Sequence, residues 1–138
     1  MGLYVWDGWF ESDIPEGLHI VSDDHYISIL GGRSDSNAAL QISCHEMSGV
    51  SIAPEQMMAD ELGEAADTAG FRIVSKMQVG EIDGAVCVSA EAKKGAMRAK
   101  MWAVGEQDWF ILMTLTYNRN STDIDAAVSI VEGLKLLR

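Results

Sequence analysis

Residues 109–117 place Trp109, Ile111, Met113, Leu115 and Tyr117 on one side of the chain and Phe110, Leu112, Thr114 and Thr116 on the other. Successive side chains of an extended chain point to opposite faces, so this period of two is that of a strand. Its start is apolar on both sides, as a strand in the middle of a sheet requires. The same period recurs three times. Residues 38–44 set Ala38, Leu40, Ile42 and Cys44 against Gln41, Ser43 and His45. Residues 71–79 set Phe71, Ile73, Met77 and Val79 against Arg72, Lys76 and Gln78. Residues 97–103 set Met97, Ala99, Met101 and Ala103 against Arg98, Lys100 and Trp102.

Turn signals separate these runs: Asp83-Gly84, Lys93-Lys94-Gly95 and Gly105-Glu106-Gln107-Asp108. Short loops join antiparallel neighbours, so residues 71–117 read as a four-stranded meander. Shorter strands are expected near 8–12, 18–22 and 25–30, with turns at Ile14-Pro15-Glu16-Gly17 and Asp23-Asp24. Two segments carry the helical period instead. Pro54 and Glu55 suit the start of a helix over about 54–69, and Gly70 suits its end. Its apolar stripe is Met58, Leu62, Ala65, Ala66 and Ala69, and its other face carries Asp60, Glu61, Glu64 and Asp67 with no basic residue. A second helix is expected over about 122–136, opened by a capping-box-like Thr122 and Asp125 and striped with Ile124, Ala127, Val128, Val131 and Leu134. Lys135 and Arg138 favour its negative end. The fold class is α+β: one domain over residues 1–138, an antiparallel β-sheet with two amphipathic helices.

The net charge of −11 is unevenly spread. Residues 1–70 carry 13 acidic side chains against one basic, Arg33, whereas residues 71–138 carry 8 against 9. The first half repels a phosphate backbone, and no basic, aromatic-interleaved groove shows in the sequence, so nucleic acid is not the expected partner. A basic protein would be steered in, although plain solubility accounts for the charge equally simply. No run approaches the ~20 apolar residues of a membrane span. The first residues lack the basic start of a signal peptide, and Trp6 stands where a myristoylation start has Ser or Thr, so a cytoplasmic location is expected. The two cysteines, Cys44 and Cys87, lie in apolar runs outside any CxxC pair and read as reduced, buried thiols.

Four stretches carry a resemblance to a known family. Asp13-Ile14-Pro15-Glu16-Gly17-Leu18 is similar to the early turn of the PsbP-like superfamily. Ala39-Leu40-Gln41-Ile42-Ser43 is similar to its strand before the first helix. Val79-Gly80-Glu81-Ile82-Asp83-Gly84-Ala85 resembles the turn opening its central hairpin, and Ile130-Val131-Glu132-Gly133-Leu134 resembles the ending of its closing helix. The superfamily includes Ran-binding nuclear import factors and bacterial DcrB-like proteins. The resemblance covers nearly the whole chain and implies a PsbP-like α/β sandwich. It also implies a binding protein more than an enzyme, as secretion-system chaperones, small-GTPase binders and photosystem subunits are. It carries over no site residues.

Few residues suggest bond-making chemistry. Cys44 and His45 are adjacent, but strand neighbours point to opposite faces and cannot easily pair as nucleophile and base. His19, His25 and His45, with Asp23, Asp24 and Glu46, have no HxH or HxxxH spacing for a metal. Gly31-Gly32-Arg33-Ser34-Asp35-Ser36 precedes a strand rather than the helix a phosphate cradle needs, and reads as a hairpin loop. The eight methionines mostly fall on apolar faces, as core filling or as a pliable binding surface. Trp102, Phe110 and Leu112 fall on the otherwise polar side of the meander. Left bare, they form a docking patch beside Arg98 and Lys100; covered by a helix, they are core. No catalytic residue, metal or cofactor is assigned.

The expected function is therefore a non-catalytic, cytosolic protein-binding module. Its partner would be a basic protein, as an immunity- or chaperone-type protein has in a bacterial toxin or secreted effector. Asp60, Glu61, Glu64 and Asp67 form one candidate surface, and Trp102, Phe110 and Leu112 the other. The alternative is a small-ligand or metal-binding domain, enzymatic or not, built on the histidines and nearby carboxylates.

Overall fold

The computed structural model describes residues 2–23, 25–31, 38–47 and 52–138. Along the chain these form β1 (Gly2–Trp6), β2 (Phe10–Ile14), β3 (Leu18–Ser22), β4 (Ile27–Gly31), β5 (Ala39–Glu46), α1 (Pro54–Thr68), β6 (Arg72–Ile73), β7 (Gln78–Ile82), β8 (Ala85–Lys94), β9 (Met97–Glu106), β10 (Trp109–Tyr117), α2 (Ile124–Glu132) and β11 (Lys135–Leu136). An eight-stranded sheet runs β3-β4-β5-β10-β9-β8-β6, with β7 also paired to β8. A three-stranded sheet runs β1-β2-β11. Every pairing is antiparallel. The α+β fold stands as expected, and the four-stranded meander runs β7-β8-β9-β10, with β10 central between β5 and β9.

Register decides which side chains meet. Ile42, Met113 and Trp102 lie in one cross-strand row, and Leu40 and Leu115 in the next. With Ile111 they pack against Phe10 of the small sheet and against Ile130 and Val131 of α2. The opposite face presents Ala90, Ala92, Ala99 and Ala103 to Met57, Met58, Leu62 and Ala66 of α1. Small residues on the sheet let the helix come close, and its long side chains fill the layer. Burying each of Met57, Met58 and Leu62 contributes about 1.5–3 kcal/mol. The layers are thus α1, the large sheet, and then α2 beside the small sheet.

Four expectations need correction. First, residues 71–79 are two strands rather than one. Ile73 pairs with Ala92 and Gln78 with Ser89, so two extra residues bow out between them. The bow is held where the Val74 amide donates to the Glu91 carbonyl at 2.9 Å and the Glu91 amide donates to Ser75 Oγ at 2.8 Å. Second, the last helix ends at Glu132, and Lys135–Leu136 is a strand beside β2. The Leu136 amide donates to Asp83 Oδ2 at 2.8 Å and the Leu137 amide to the Trp9 carbonyl at 2.8 Å, and these bonds replace a further helical turn. Lys135 and Arg138 accordingly pair with Glu11 and Glu46 instead of capping a helix. Third, Thr122 and Asp125 make no capping box: Asp123 is the N-cap, left-handed at φ 63°, with no side-chain cap bond. Fourth, the strand placed near 8–12 is β2, and β1 before it went unforeseen because Gly2–Trp6 is too short to show a period.

Candidate functional site

The register separates the aromatic trio. Trp102 lies directly opposite Met113, on the face shared with α2. Phe110 lies opposite Gly105 and Leu112 opposite Ala103, on the face under α1. The expected single patch of Trp102, Phe110 and Leu112 therefore does not exist. Phe110 is buried at 5% exposure and Leu112 half-buried, both in the core cluster beneath α1.

What the fold does bring together is two residues from each candidate set. Glu61, Glu64, Ala65, Thr68 and Ala69 form one wall of a groove of about 370 Å³, and His45, Phe110 and Leu112 form the other. The His45 ring stacks on Phe110 with centroids 4.6 Å apart and planes 16° from parallel, because the two residues are direct cross-strand partners. His45 Nε2 and Ser43 Oγ share a hydrogen bond of 2.8 Å. Burial lowers the His45 pKa, which keeps the imidazole neutral near pH 7. Burial also raises the Glu61 pKa, and Glu64 and Asp60 add to the rise. Among the described residues no basic side chain pairs with Glu61 or Glu64. The groove thus offers apolar walls and an uncompensated double carboxylate at its mouth. A lysine or arginine side chain has the complementary form, with an apolar stem and a cationic tip. Asp60 faces away to solvent, accepting a hydrogen bond from Gln56 Nε2 at 2.8 Å, and Asp67 is exposed further along the helix.

The remaining candidates stay apart. Cys44 lies opposite Ile111 on the α2 face, away from the His45 ring. Burial pushes the Cys44 thiol up to about 12 despite the opposing influence of Arg138, and burial pushes Cys87 up to about 11. Among the described residues no three His, Cys, Asp or Glu side chains gather as metal ligands. Asp24 and the loop Gly32 to Ser36 lie outside the described residues.

One surface was missed. Arg72, Lys93 and Arg98 form a cross-strand row on the α2 face, next to a Glu91–Lys100 pair and a Ser89–Trp102 pair. The signal was present as the alternation Arg98, Lys100, Trp102. Only the pairing of β6, β8 and β9 shows that the other cations stand beside it.

No known family model matches the chain, and no curated protein does. Solved structures are similar to it, among them the following two. One, from Bacteroides thetaiotaomicron VPI-5482, has a TM-score of 0.64 at 12% identity over 99% of this chain. This chain spans 48% of that protein's length. The other is the solution structure of cyanobacterial PsbP (CyanoP) from Synechocystis sp. PCC 6803, with a TM-score of 0.70 at 11% identity over 98% of this chain and 91% of that one. Identity this low speaks to architecture alone. Two helices on a mostly antiparallel sheet, superposable on CyanoP along nearly the whole chain, make this a PsbP-like α+β fold.

Proposed function

We propose that the domain is a non-catalytic docking module that holds a basic segment of a protein partner in the groove between α1 and β5–β10. The observation that supports this most directly is Glu61, partly desolvated beside the exposed Glu64 and without a described cation, on the wall of a largely apolar slot. A partly desolvated carboxylate with like charges beside it is unfavourable, and a partner's cation would relieve it. The wider excess of acid in residues 1–70 would steer such a partner in. The partner we propose is a toxin or secreted effector in a bacterial cytosol, with this domain as its immunity- or chaperone-type protein.

A lysine-rich peptide titrated at low ionic strength tests the reading. Binding should be saturable and should shift the amide signals of Ala65, Ala69 and Leu112. The Glu61→Gln, Glu64→Gln double variant should bind about tenfold more weakly or worse. Equal binding by that variant, or no binding by the wild type, would remove the groove from consideration.

A further inference from the structure

Beyond α2 the same sheet face is left open, and a trough of about 370 Å³ lies there between Val128 and the bow at Ser75 and Lys76. Ser89, Glu91, Lys100 and Trp102 line its floor. Trp102, Lys100 and Arg98 follow one another at every second residue of β9, so they line up on one face over about 13 Å. Lys93 stands directly beside Arg98, and Arg72 directly beside Lys93.

Like charges set directly opposite each other destabilise a sheet. Three in a row, with no ion pair to a described acidic residue, contribute nothing favourable to this fold. Contrast Lys94 on the other face, whose Nζ donates to the Ala69 carbonyl at 3.1 Å and lies over the Phe71 ring. That cation closes α1 onto the sheet; the row of three closes nothing. In a chain of net charge −11, such a local excess of positive charge calls for a negative ligand.

We propose that this face binds a small, elongated anion, with a flat ring against Trp102 and two or more negative charges over Lys100, Arg98 and Lys93. A nucleoside diphosphate has this chemistry: a planar base at one end and a diphosphate at the other, over a span of that order. Stacking on the indole supplies the ring's part, and charge-assisted hydrogen bonds from the guanidinium and ammonium groups supply the phosphate's part. Glu91 also lines the trough and stands across from Lys100 in the cross-strand register. The site is independent of the acidic groove, which lies on the opposite face.

Calorimetric titrations with ADP, adenosine and inorganic pyrophosphate at low ionic strength separate the parts. ADP should bind saturably, with adenosine and pyrophosphate each about tenfold weaker. Arg98→Gln and Lys100→Gln should each weaken ADP about five- to tenfold, and Trp102→Leu should weaken ADP but leave pyrophosphate unchanged. Lys135→Gln removes the same charge on the other sheet and should change nothing. Thermal melts establish that each variant is folded. Should one fail, the Trp102 indole N–H resonance of the wild type replaces it, and must move with ADP. Absent ADP binding, pyrophosphate binding as tight as ADP, equal losses in Lys135→Gln, or tighter binding of an acidic peptide or a single-stranded oligonucleotide would each overturn the proposal.

Discussion

Gly105 shows how little room one position of the large sheet has. It lies opposite Phe110, and a Cβ placed on it would sit 2.7 Å from Phe110 Cα and collide with the Trp109 carbonyl. Backbone cannot give way as a side-chain tip can. Gly105→Ala should therefore destabilise by about 1–3 kcal/mol, read as an earlier midpoint in urea with an unchanged slope. Glu61 makes a prediction of the opposite sign. Its folded pKa lies above the ordinary value of 4.5, so the folded state binds the proton more readily than the unfolded state does. The charged carboxylate thus weakens the fold at neutral pH, and the penalty fades as pH falls through the raised value. Glu61→Gln should raise Tm modestly at pH 7, and the gain should shrink to nothing near pH 4. A gain that persists in acid would point to packing rather than charge.

Among the elements, the β7–β8 turn does two jobs. Asp83 and Gly84 both take positive φ, 48° and 85°, which is the backbone of a two-residue hairpin turn. The Asp83 carboxylate also accepts the Leu136 amide and so ties β11 down. Asp83→Ala should lose the left-handed tolerance and the bond together, at a cost of about 1–3 kcal/mol, and should expose the Leu136 amide to hydrogen exchange. Asp83→Asn, which keeps an acceptor and tolerates left-handed backbone, should recover most of both. The turn itself was legible, because Asp-Gly between alternating runs is a strong local signal. So were α1, with its Pro54 start and Gly70 stop, and β10, with its nine alternating residues. Two things were not. The bow at Val74–Met77 rests on bonds to Glu91 that no local pattern encodes. The separation of Trp102 from Phe110 rests on the β9–β10 register: odd residues of one strand face even residues of the other, and alternation within each strand says nothing of that. The groove of His45, Glu61 and Phe110 was half visible, since each wall was singled out for a different reason and only the tertiary fold sets them facing.

Across the whole molecule, charge is divided by face. The carboxylates of α1 lie on one side of the large sheet, and Arg72, Lys93, Arg98 and Lys100 lie on the other. The net charge remains −11, and a compact state concentrates it. Raising sodium chloride from a low level to about 0.3 M should screen this repulsion and raise Tm by roughly 2–5 °C. Calorimetry at constant pH checks it, and a falling Tm would mean that attraction between the two faces outweighs repulsion within each.

The pairing of Glu11 with Lys135 has a consequence in time. Ribosomes make about 5–20 residues per second. The small sheet's middle strand therefore waits roughly 6–25 s for its third member to be synthesised. Throughout that wait Phe10 and Ile14 lack the covering of α2, and β2 offers a bare edge to any neighbouring nascent chain. For this protein the vulnerable period is translation, and the finished fold conceals what had to be kept from sticking while it was made.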